Sequence, residues 1–129
     1  MKYEESSVLE LKEQINADFK KEIIAFANTD GGEIYVGVAR DGSVTGVENP
    51  EAEMEKIGNM IRDGIKPDLT AYTSIERIEE DGKSLIRVSV SRGLKRPYHL
   101  TDKGLKPTGV FSVMGYPLYP SLMKQFARC

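Results

Sequence analysis

The sequence of 129 residues predicts an α+β domain in which a mixed sheet is packed against helices. Three observations lead there. Stretches of period two and stretches of period 3.6 are interspersed without a strict strand–helix–strand alternation. Asp-Gly pairs at 41–42 and 81–82 link neighbouring extended stretches directly, as hairpins require. No repeat, low-complexity tract or linker divides the chain, and its length fits one domain with a sizeable core.

Residues 8–12 alternate and read as a first strand, with Leu9 and Leu11 toward the core and Glu10 and Lys12 on the other face. Residues 15–38 organise the rest. Ile15, Phe19, Ile23 and Phe26 fall at helical spacing, widened by Ile24 and Ala27, with Lys20, Lys21 and Glu22 opposite. Asn28-Thr29-Asp30-Gly31-Gly32 then stops the helix, because Asn or Gly can take the left-handed backbone of a C-cap. Residues 33–38 follow as a strand, and Gly37 within it implies a close approach to the backbone. Residues 43–47 are expected to return as its hairpin partner. Asn49 or Glu48 precedes Pro50, and residues 51–65 form a second helix with Met54, Ile57, Ile61 and Ile65 on its apolar face. Residues 72–79 and 84–91 pair across the turn at 81–82. Residues 92–100 are a loop, Lys103-Gly104 is a turn, 110–114 a short strand and 122–128 a short terminal helix.

Composition narrows the function. The single cysteine, Cys129, leaves no internal disulfide framework and no cysteine metal cluster. No apolar run approaches a membrane span, and the first five residues lack the apolar core of a signal peptide. A cytoplasmic location without a membrane partner is the expectation. The net charge of −2 conceals a split: residues 1–82 sum to −10 and residues 83–129 to +8. Such asymmetry points to a polyanion-binding face, or to two halves that neutralise each other in the fold.

The cations concentrate in Arg87, Arg92, Lys95, Arg96, Lys103 and Lys106, with His99 beside them and Tyr98 placed to stack on an exposed base. Asp30-Gly31-Gly32 does not make a phosphate cradle, since these glycines follow a helix C-terminus and no Lys-Ser or Lys-Thr comes after them. ATP is therefore not expected. His99 is the only histidine, so a hydrolase triad has no support.

Several runs together match one pattern: Leu9-Glu10-Leu11-Lys12, Ala25-Phe26-Ala27-Asn28-Thr29-Asp30-Gly31-Gly32, Ile34-Tyr35-Val36-Gly37-Val38, Asp41-Gly42-Ser43-Val44-Thr45-Gly46-Val47, Arg96-Pro97-Tyr98-His99-Leu100 and Lys103-Gly104-Leu105-Lys106-Pro107-Thr108-Gly109-Val110. Over residues 5–115 the chain resembles the Schlafen-type AlbA-like domain, also called the divergent AAA domain. The resemblance implies an AlbA-like fold and a place in prokaryotic transcriptional regulators, ahead of a winged-helix segment. Residues 1–129 would then be a single domain, alone or as a fragment. Phe111-Ser112-Val113-Met114-Gly115 departs from the Arg-containing run of the family.

The resemblance also implies a nuclease alternative. Family nucleases place two glutamates at the spacing of Glu5 and Glu10, near Lys12, and an aspartate after the Gly-Val of the strand, so that a divalent metal is held. Here Ala39-Arg40 follows Gly37-Val38, and only Asp41 is near. The resulting expectation is a nucleic-acid-binding domain, DNA foremost, acting through Arg87, Arg92, Lys95, Arg96, Tyr98, Lys103 and Lys106 without a cofactor. The alternatives are a metal-dependent ribonuclease using Glu5, Glu10, Lys12 and Asp41, and a dimerisation or protein-interaction module working through sheet edges.

Overall fold

The computed structural model describes Tyr3 and residues 5–101. The turn at Lys103-Gly104, the strand at 110–114 and the helix at 122–128 expected from sequence lie outside the described residues. Within them the chain runs β1 (Leu9–Lys12), α1 (Phe19–Asn28), β2 (Gly32–Val36), α2 (Pro50–Gly64), β3 (Ile65–Lys66), a 3₁₀ turn (Thr70–Tyr72), β4 (Thr73–Glu80), β5 (Lys83–Val90) and β6 (His99–Leu100). The main sheet has the order β1-β2-β5-β4, parallel between β1 and β2 and antiparallel elsewhere. This is the mixed sheet of an α+β domain. β3 and β6 form a separate antiparallel pair, Ile65 opposite Leu100 and Lys66 opposite His99.

The core lies between the sheet and the helices. Ile34 and Val36 of β2 and Ile86, Val88 and Val90 of β5 meet Phe19, Ile23 and Phe26 of α1 and Ile57 and Ile61 of α2. The alternation of each strand sends the intervening residues to the opposite face. There Tyr3, Leu11, Val38 and Leu85 make a second cluster, with Leu9, Tyr35, Val44 and Ile78 packed on it. The Tyr3 and Tyr35 rings lie 4.9 Å apart, tilted by 48°.

α1 starts at Phe19 rather than Ile15, because Asn16 closes a turn of its own: its side-chain oxygen accepts from the Asp18 N–H at 2.9 Å and its carbonyl from the Phe19 N–H at 3.1 Å. Ile15 still packs on the core from that turn. Asn49 is the cap of α2, its side chain accepting from the Ala52 N–H, with Pro50 first in the helix. α2 ends at Gly64, and Thr101 takes over its last carbonyls, bonding Gly64 O at 2.9 Å and Asp63 O at 3.0 Å.

Three expectations are corrected. Residues 43–47 do not return as a strand beside β2; only one bridge, Val38 to Val44, forms. Gly37 turns the chain away at φ +101°, and a side chain there would collide with Leu85 at 2.9 Å and the Gly46 backbone at 3.2 Å. β2 is thereby left open to β5. The register also places Leu9 and Leu11 opposite Glu33 and Tyr35, so they face the second cluster, where Leu11 is buried, rather than the core under the helices, and Glu10 and Lys12 share the helix side with Ile34 and Val36. Finally, the loop at 92–100 ends in a strand, β6, because Tyr98 and Leu100 point inward on either side of His99.

Candidate nucleic-acid interface

The basic residues are positioned by a backbone tied down almost at every step after β5. The Ser91 N–H donates to Tyr72 O at 2.8 Å and the Gly93 N–H to Ala27 O, at the end of α1, at 2.9 Å. The Lys95 N–H donates to the Tyr98 hydroxyl at 3.1 Å, and Arg96 Nε to Gly93 O at 2.9 Å. Asn28 closes the loop: Tyr98 N–H donates to its Oδ1 at 2.7 Å, and its amide donates to Tyr98 O at 3.0 Å. Asn28 and Tyr98 are both buried. Gly93 lies flat on the Tyr98 ring, where any side chain would overlap it. Between these ties Arg92, Leu94 and Lys95 stand exposed, with Arg96 half-buried. Among the described residues, Arg92 and Arg96 form no ion pair with a carboxylate. Exposed Lys66 lies on the neighbouring β3, opposite half-buried His99. Asp68 is the acid beside them. Its carboxyl is held below the usual range chiefly by the Thr70 hydroxyl and N–H, with a smaller pull from Lys66 and Lys95.

Tyr98 cannot stack on a base. It is fully buried, because the loop folds over its ring and its hydroxyl accepts from the backbone. Arg87 belongs elsewhere too. It lies on the outer face of β5, bonded to Glu76 at 3.1 Å and 4.0 Å from Glu33, so its charge is already matched by β4 and β2. Lys103 and Lys106 lie outside the described residues. Of the predicted cations, the structure therefore gathers Arg92, Lys95 and Arg96. Sequence reasoning misses Asn28, which reads as a helix cap, and Lys66, whose proximity depends on the β3–β6 pairing.

The carboxylates assemble at the edge strand β1. Lys12 lies 3.8 Å from Glu10 and 3.6 Å from Glu22 of α1. Glu5 accepts from the Leu11 N–H at 3.3 Å and lies 3.8 Å from Arg40. Partial burial, then the Glu22 and Glu5 carboxylates, push the Glu10 carboxyl up to about 7 against the pull of Lys12. Burial raises Glu22 as well. Asp41 is turned away, accepting from the Ser43 N–H at 2.9 Å and hydroxyl at 2.6 Å. This set does not fit a divalent cation. The Lys12 ammonium already bridges Glu10 and Glu22, and Arg40 lies on Glu5. Among the described residues no group of three or more His, Cys, Asp or Glu is spaced to hold a metal ion. Sequence reasoning misses Glu22 because it reads there as a solvent-facing helix residue.

An open cleft of about 600 Å³ lies between β2 and the start of α2, lined by Glu13, Gln14, Val36, Glu48, Asn49 and Glu53 among others. Its acidic rim is unsuited to a polyanion. No described helix is long and apolar enough to cross a membrane.

Comparison with known proteins agrees with this architecture. The N-terminal domain of a DNA helicase RecG-related protein from Nitrosomonas europaea superposes with a TM-score of 0.64 at 20% identity, covering 80% of this chain and 76% of that one. The DIP2311 protein from Corynebacterium diphtheriae superposes with a TM-score of 0.56 at 17% identity, covering 74% of this chain but 20% of its own length. Comparison with curated protein sequences found no match. The model of the family described as Schlafen, AlbA_2 matches residues 5–112, which span β1 to β6 and the basic loop. The chain belongs to the Schlafen AlbA_2 family, whose membership points to a nucleic-acid-related function.

Proposed function

We propose that the chain binds nucleic acid, duplex DNA foremost, as the DNA-contacting domain of a transcriptional regulator. The observation that supports this best is the loop at 92–96, whose backbone is fixed to α1 while Arg92 and Lys95 stand exposed to solvent. Cations held at set positions meet phosphates without first having to be ordered, and such contacts give affinity without reading bases. The kinship with a domain from a DNA helicase RecG-related protein favours DNA over RNA.

The test is fluorescence anisotropy of the full chain with labelled duplex DNA and RNA over a salt series. The double variant Arg92→Ala/Lys95→Ala is expected to bind more weakly and to flatten the slope of log affinity against log salt by about 2, one for each phosphate no longer neutralised. An unchanged slope overturns the reading.

A further inference from the structure

Leu94 is the most exposed large apolar residue described, at 79%, whereas Val8 reaches 48%. A lone exposed leucine usually means little. This one stands between Arg92 and Lys95 at the tip of the loop, and both flanking backbones are committed: Gly93 N–H to Ala27 and Lys95 N–H to the Tyr98 hydroxyl. The Tyr98 ring fills the space beneath, against Gly93. Leu94 has nowhere to fold inward, and no bond of the loop uses its side chain.

We propose that Leu94 is a wedge that enters between bases while Arg92 and Lys95 hold the flanking phosphates. The proposal rests on the nucleic-acid reading above. Apolar side chains that part a base step need a rigid support and cations on both sides, because the unstacking must be offset by backbone contacts. The loop has both. One leucine is too little apolar surface to hold a protein on a bilayer, which disfavours an anionic lipid surface as the partner.

Parting bases is easiest where a base is already unpaired. The test compares the affinity of the full chain for a matched duplex with that for the same duplex carrying a single-base bulge. Wild type is expected to prefer the bulge by about tenfold. Leu94→Ala is expected to bring this ratio close to one with an unchanged salt slope, and Leu94→Met to retain it. A ratio that Leu94→Ala leaves intact, or a wild type without preference, overturns the wedge; salt-dependent binding would in that case leave the nucleic-acid reading standing. Failure to bind DNA or RNA, with Leu94-dependent sedimentation on phosphatidylserine vesicles, overturns both.

Discussion

Asn28 is the only buried polar residue in the described core, and it satisfies both backbone groups of Tyr98. Asn28→Ala would leave a buried N–H and a buried carbonyl without partners. Each such loss costs about 1–3 kcal/mol, so thermal or denaturant unfolding is expected to show a loss of about 3 kcal/mol. Glu10 makes a different prediction. Its folded carboxyl titrates near 7 against an ordinary 4.5, so between those values the folded state binds more protons than the unfolded one. Stability from this group is complete below about pH 4.5 and falls as pH rises through about 7. Glu22 is shifted in the same sense. Glu10→Gln is expected to flatten this decline, recovering on the order of 2 kcal/mol at pH 8 in denaturant melts. The pairing of Glu10 with Lys12 is legible from their spacing. The third member is not, because nothing local tells that β1 turns these two residues toward α1.

At the scale of elements, hairpins are legible only where the turn and both strands are contiguous. β4 and β5 flank Asp81-Gly82, and their pairing runs from Glu80↔Lys83 to Thr73↔Val90 as the alternation implies. The stretch after β2 shows an equally good Asp-Gly turn, yet Gly37 bends the chain before the ladder can form, and β2 takes a partner about fifty residues away. That choice decides the fate of Arg87. By sequence a cation of the basic half, it is placed by the β2–β5–β4 ladder between Glu33 and Glu76. Arg87→Ala is expected to change nucleic-acid affinity by less than about twofold and stability only slightly, since surface ion pairs contribute little. Anisotropy and melts on one preparation check both. Tyr98 misleads for a related reason. An aromatic among lysines and arginines suggests stacking, but Tyr98 directly precedes β6 and, like Leu100, is buried.

Over the whole molecule, the acidic and basic halves partly neutralise and partly separate. The sheet absorbs Arg77 and Arg87 into pairs with Glu51, Glu79, Glu76 and Glu33. The loop packed on the end of α1 keeps Arg92, Lys95 and Arg96, and Lys66 lies on β3 beside β6, with Asp68 near Lys66 and Lys95. The α+β class is visible in the sequence because periodicity is local. The location of the basic end is not, since it depends on β6 returning to β3 across the tip of α1. The double anchorage of the loop on Ala27 and Asn28 has a kinetic consequence. If this loop meets a polyanion as proposed, its backbone is already ordered, so encounter would be governed by long-range attraction and slow as counterions accumulate.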